Sequence, residues 1–378
     1  MENSTLPEEL LVEILLRLPV KSVVRLKCVC KLWLSLIFDP QFAKSHFDLA
    51  AKPTHHVLTS FNNGSQITSL SFEGSLTDVS DKFPPAPCKL DVPLPSYGPH
   101  ALRPVVCCRG FVLLANEYGR DVTVWNPTTG THRKLPVTYD DRTLVGFGYD
   151  KSTDDYLLVL IRQYYCKQCV RRPKIMNSHV PHPQIQVFSL KANAPSLISG
   201  FKFDFKYEPP NTEGLFLNQS IHWLVESNAT NIPLIVAFDL IDRSLTEIPL
   251  SIDCVELWHC KDHCYLKVLG GCLSLHYLGF QYEGGDGIRD QIWVMKEYKV
   301  PSSWIKCFVL QGNISDRKNH SWPICLSRDG ALLASRRDGR IMKLNDNGEV
   351  LKQHRDDGLK NNHFPHHHMY RESFLPLP

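Results

Sequence analysis

"DVTVWNPTTGTHRKLP" (121–136) reads as one strand, one turn and one strand. A short apolar run ends on Trp125. Asn126, Pro127 and Gly130 follow, residue types that reverse a chain at low cost. A second strand then closes at Pro136. The pattern recurs in both directions, with an apolar or aromatic strand end in "ITSLSFE" (67–73), "IQVFSLK" (185–191), "IVAFDLI" (235–241), "IWVMKEY" (292–298) and "RIMKLND" (340–346). The centres Leu70, Trp125, Phe188, Phe238, Met295 and Leu344 lie 49 to 63 residues apart. A period near 50 is that of propeller blades of the kelch kind, and five or six such units would close a ring. A sandwich or an irregular β domain is the alternative. "SRDGALLASRRDGRIMKLNDNGEVLK" (327–352) adds two Asp-Gly pairs and one Asn-Gly, strong hairpin signals.

The first 50 residues follow another rule. In "LPEELLVEILLRLPVKSVVRLKCVCKLWLSLI" (6–37), Leu10, Leu11, Ile14, Leu15 and Leu18 recur at helical spacing. Thr5 and Glu8 could form a capping box ahead of them, with Pro7 at the helix start. Pro19 stops that helix. Ser22 could cap a second carrying Val23, Val24, Leu26 and Val29. A third holds Trp33, Leu34, Leu36 and Ile37, and Asp39-Pro40 ends it. Three or four such short helices are below the size at which a core supports itself. They must be covered by the rest of the chain or by another protein.

The chain has 378 residues, 43% hydrophobic and 21% charged, with formal net charge +3, which gives no global attraction to nucleic acid or membrane. There is no basic, apolar leader at the start and no run of the roughly 20 apolar residues a membrane span needs. These features predict a cytoplasmic or nuclear protein. Its 13 cysteines, an odd number irregularly spaced, then read as small hydrophobes rather than a disulfide framework.

"LPEELLVEILLRLPVKSVVRLKCVCKLWLSLIFDPQFAKSHF" (6–47) resembles an F-box, through its Leu-Pro start, the "EILLRLPVKS" turn, the "CVCKLW" run and the "DPQFAKSHF" close. The resemblance implies docking on a Skp-type adaptor and, through it, on a cullin–RING ubiquitin ligase. It implies that Leu6, Pro7, Leu10, Ile14, Leu15, Leu18 and Pro19 meet the adaptor, with Val24, Val29, Cys30 and Trp33 supporting or completing that surface. "VWNPTTGTHRKLP", "VGFGYDKSTDDYLLVLI" (145–161), "NQSIHWLVES" (218–227), "IVAFDLIDRSLTEIPL" and "QIWVMKEYKVPSSWIKCFVL" (291–310) resemble the F-box-associated domain of plant F-box proteins. "DDYLLVLI" departs from that family in lacking a Lys after "DDY". "MYRESFLPLP" (369–378) resembles the S-locus F-box and F-box-like branch of pollen self-incompatibility, whose implied client is a ribonuclease.

The expected organisation is therefore α+β and multidomain. A small all-α F-box occupies 1–50, an all-β, propeller-like substrate domain 54–360, and a C-terminal tail 361–378. The expected function is that of a non-catalytic substrate receptor of a Skp–cullin–F-box ubiquitin ligase. The alternative is an adaptor-binding scaffold that delivers no client.

Chemical motifs are sparse. Cys166 and Cys169 with His179 and His182, the run "HCKDHC" (259–264) and "HFPHHHMY" (363–370) do not match zinc-finger spacing, so neither metal nor cofactor is expected. No nucleophile elbow or phosphate loop is present. One insertion is a candidate client face: "RQYYCKQCVRRPKIMNSHVPHPQ" (162–184) carries Arg162, Lys167, Arg171, Arg172 and Lys174 with no acid, plus Tyr164 and Tyr165. Tyrosine and arginine are enriched in binding hot spots.

Overall fold

The computed structural model describes residues 7–49, 55–61, 66–71, 88–93, 102–116, 118–162, 184–199, 201, 205–206, 212–256, 264–279, 290–310, 320–327, 329–336, 340–355 and 367–377. Four helices come first: α1 (Glu8–Leu16), α2 (Val20–Leu26), α3 (Lys31–Phe38) and α4 (Pro40–Leu49). Prolines set their boundaries. Pro7 and Pro19 are the N-cap residues of α1 and α2, and neither cap has a side-chain hydrogen bond. Ser22 thus lies inside α2 rather than capping it, and Thr5 lies outside the described residues.

The remaining elements form six antiparallel sheets, each a blade. Blades 2 to 6 fall at 103–135, 143–198, 205–249, 264–310 and 321–355. Blade 1 joins strands from 55–90 to the last strand of the chain, His367–Arg371. That strand pairs antiparallel with His55–Phe61, with Arg371 opposite His55 and His367 opposite Thr59. The stretch set apart as a tail therefore supplies the innermost strand of blade 1 and carries the domain past residue 360. The six strands that revealed the period are the third from the axis in every blade: Gln66–Ser71, Val122–Trp125, Gln184–Ser189, Pro233–Asp239, Asp290–Met295 and Arg340–Leu344.

Inner strands of neighbouring blades touch in an unbroken cycle, blade 1 to 2 and on through 6 to 1. Apolar side chains fill the gaps between blades. Trp223, Val225, Val236 and Phe238 of blade 4 meet Leu157, Val159 and Ile161 of blade 3. Ile292 and Val294 of blade 5 meet Leu332 and Ala334 of blade 6. Where both faces of a sheet are covered by apolar neighbours, as in blades 2 and 3, the second strands Phe111–Ala115 and Asp155–Arg162 read as near-continuous apolar runs rather than alternating ones. The ten described cysteines are all free, and three of them, Cys28, Cys30 and Cys88, are exposed.

Candidate partner-docking surfaces

The helices sit over blades 2 and 3. Leu15, Val20, Val23, Ile37, Phe42, Ala43 and Phe47 share one apolar cluster with Phe111, Phe147, Tyr156 and the C-terminal Phe374 and Leu375. Two hairpin tips reach up to them. Arg109 (φ +45°) and Asp154 (φ +54°) hold left-handed conformations that side-chain-bearing residues seldom adopt. Arg109 pairs with Asp48 at 2.8 Å and stacks on Phe47 and Tyr149, while Asp154 pairs with Lys44. Such strain concentrates where surrounding contacts over-determine it.

Residues 371–377 run through this junction. Arg371 lies over the Phe47 ring and donates to the Phe47 carbonyl. Buried Glu372 bridges Lys21 of α2 at 3.1 Å and His56 of blade 1 at 3.0 Å. Burial pushes the Glu372 carboxyl up, but the His56 and Lys21 partners prevail and hold it below its usual value. Phe374 stacks on Phe42, centroids 6.0 Å apart, and meets the His46 ring at a tilt, centroids 4.8 Å apart. The Asn126 amide donates to the carbonyls of Ser373 and Leu375. Gly110 (φ +86°) lets Ser373 close in, since a Cβ there would collide with the Ser373 hydroxyl.

The junction sorts the residues expected to meet an adaptor. Leu15 is 0% exposed and belongs to the core of the junction, so it cannot touch a partner. Leu18, Val24 and Trp33 are partly buried against the same cluster. Leu10 and Ile14, each 47% exposed, and Val29, Pro7, Pro19 and Cys30 face outward. Leu6 lies outside the described residues. Three further exposed apolar residues went unassigned: Leu32, Leu34 and Phe38 on α3. The signal was there, because α3 ("KLWLSLIF") is apolar all round, and one face of a short helix cannot bury that much.

The opposite end of the propeller is the other candidate surface. The inner hairpin tips of blades 2 and 3 point at the helices, so in antiparallel sheets the second-to-third strand connections leave at the far end. Arg162 and Gln184, cross-strand partners that flank the basic insertion, stand there. Arg162 donates to the Thr138 carbonyl at 2.6 Å. Tyr164, Tyr165, Lys167, Arg171, Arg172 and Lys174 lie outside the described residues, as do Cys166, Cys169, His179 and His182. Nearer the axis, Arg103 reaches Glu213 at 3.4 Å, and burial raises the Glu213 pKa against the pull of that arginine. Among the described residues no group of three or more His, Cys, Asp or Glu is placed to hold a metal ion, and no helix is long and apolar enough to cross a membrane.

The propeller thus carries, fixed to one end, a small helical module that turns leucine, isoleucine and phenylalanine outward. Residues 3–48 match an F-box-like domain, and residues 60–372 match the F-box associated beta propeller domain. The chain belongs to that family of F-box proteins. It is 27% identical to an F-box/kelch-repeat protein of Arabidopsis thaliana over 81% of this chain and 80% of that one. It is 27% identical to the Arabidopsis F-box protein CPR1 over 86% of this chain and 78% of that one. Among solved structures it is similar to a chain of a nidogen/laminin complex, at TM-score 0.40 and 8% identity over 83% of this chain and 98% of that one. That likeness is too low to carry weight.

Proposed function

We propose that the protein is the client receptor of a Skp–cullin–F-box ubiquitin ligase. The helical module binds the adaptor, the far end of the propeller binds the client, and the chain itself performs no catalysis. The observation that carries this reading is the division of the helices: one side is welded to the propeller, and the other presents Leu10, Ile14, Val29, Leu32, Leu34 and Phe38. Full burial of one such side chain is worth about 1.5–3 kcal/mol. The reading puts the protein in the cytoplasm or nucleus. A role in pollen self-incompatibility with a ribonuclease client is a further extension, supported by 369–378 alone.

The test is adaptor binding by surface variants. Changing Leu10, Ile14 and Phe38 together to Asp is expected to abolish binding to a Skp-type adaptor while the circular-dichroism spectrum stays that of the parent. Adaptor binding at parental affinity by this folded triple variant would overturn the docking assignment.

A further inference from the structure

The hairpin nearest the axis in blade 5 carries two polar cross-strand pairs. Tyr265 stands opposite His276, and Lys267 opposite Ser274. The alternating residues Leu266, Val268, Leu273 and Leu275 pack toward blade 4. The two-residue period of a strand therefore turns the polar four toward blade 6. There Trp322 meets Tyr265 edge-on at 5.1 Å and His276 at 6.1 Å. Further from the far mouth the same gap is apolar, lined by Leu269, Ile292, Val294, Leu332 and Ala334.

Ser274 and His276 are buried and Tyr265, Lys267 and Trp322 partly so, yet the hydrogen bonding of the patch is incomplete. Ser274 is 0% and His276 1% exposed, and among the described residues Ser274 Oγ and both ring nitrogens of His276 have no hydrogen-bond partner. Among the described residues none pairs with the Lys267 ammonium. Burial lowers its pKa, and Glu213, already bridged by Arg103, opposes that only through space. A buried polar atom left unpaired is costly to keep. Three such atoms stand beside a cation that has no partner among the described residues.

Its chemistry selects the guest. Burial keeps His276 neutral, with a pKa lowered to about 4, so the ring offers one N–H donor. The Lys267 ammonium and the Ser274 hydroxyl add further donors. Arg103 is already bridged to Glu213, and Asp290 is held by His320 at 2.9 Å and by the Gly279 amide, so among the described residues the Lys267 ammonium has no carboxylate of its own. One carboxylate would neutralise that charge, whereas a phosphate dianion would overshoot it.

We infer that the polar patch between blades 5 and 6 is a carboxylate-binding site, in which Lys267 takes the charge, Ser274 and His276 donate to the oxygens, and Tyr265 and Trp322 flank the group that bears it. The carboxylate belongs to an acidic side chain of a bound protein or to a free organic acid. The inference stands independently of the ligase reading.

The test titrates the full chain with two matched pairs of probes: benzoate against benzamide, and a blocked peptide bearing one Glu against its Gln counterpart. The readout is the ring resonances of His276. At least one carboxylate is expected to move them at millimolar concentration, its amide counterpart not, and the responding pair identifies the source. Loss of one charge-assisted hydrogen bond in Lys267→Met should weaken binding about tenfold or more, with Lys267→Arg retaining part of it. Ser274→Ala, a smaller change, should weaken it less and guards against a misfolded Lys267→Met. The site is refuted if neither carboxylate moves His276, if the amides act equally, or if folded Lys267→Met binds as tightly as the parent. The patch then holds water only.

Discussion

Ile14 and Leu15 are adjacent in α1 and have opposite roles. Ile14 faces outward, whereas Leu15 is sealed beneath α4 and the propeller. Helical periodicity identified both as apolar but could not tell which side of a thin helical layer would be covered. That depends on blades 2 and 3, about a hundred residues downstream. A charge at Leu15 would unfold the junction and so could not report adaptor contact. A second residue-scale consequence concerns pH. Buried His222 satisfies a neutral ring, its Nδ1 donating to the Leu215 carbonyl at 3.2 Å and its Nε2 accepting from the Tyr298 hydroxyl at 2.8 Å. Burial lowers its pKa from 6.5 to about 4. The unfolded chain therefore takes up a proton below about pH 6.5 that the native state refuses until about pH 4. Stability is expected to fall across that window by about 1.4 kcal/mol per pH unit for this one proton. Denaturant unfolding of His222→Gln between pH 7 and 4.5 should show a shallower slope than the parent; equal slopes would contradict the assignment. Glu372, held below its usual value, loses its contribution only at lower pH.

At the scale of elements, the third strands were legible because each ends in an aromatic or apolar residue followed by turn chemistry. The innermost strand of blade 1 was not. His367–Arg371 lies at the far end of the chain from the strand it pairs with, and local pattern carries no information about such a closure. Residues 372–377 were unreadable for the same reason, since their partners are Lys21, Phe42, His46 and Asn126. This placement bears on the S-locus resemblance of 369–378. Those residues, on which the proposed self-incompatibility role rests, also hold the F-box to the propeller. Deleting 372–378 removes the buried Phe374 and Leu375, and a phenylalanine-to-alanine change alone in such a place costs about 3–5 kcal/mol. Amide exchange in α4 should then quicken while blades 3 to 5 keep their protection. Unchanged exchange in α4 would show that the segment holds nothing.

The whole molecule is one body with two ends. Its period and its helical start could be read from sequence, and so could its family. The number of blades, the orientation of the helices and the contents of the axis could not, because all three arise from contacts between blades. The junction fixes the exposed Leu10, Ile14 and Phe38 at one end of the propeller, and under the proposed receptor function a client bound at the other end would be presented at a constant distance and angle. The most direct measurement is capture of the parent protein and of the Leu10/Ile14/Phe38→Asp variant from the source tissue with the proteasome blocked. The parent should bring down adaptor, cullin and at least one ubiquitin-modified protein, and the variant should keep the client without the ligase or its ubiquitin. A bound protein that stays unmodified although cullin is present, or one whose modification is the same with the variant, would contradict the receptor account and leave a scaffold.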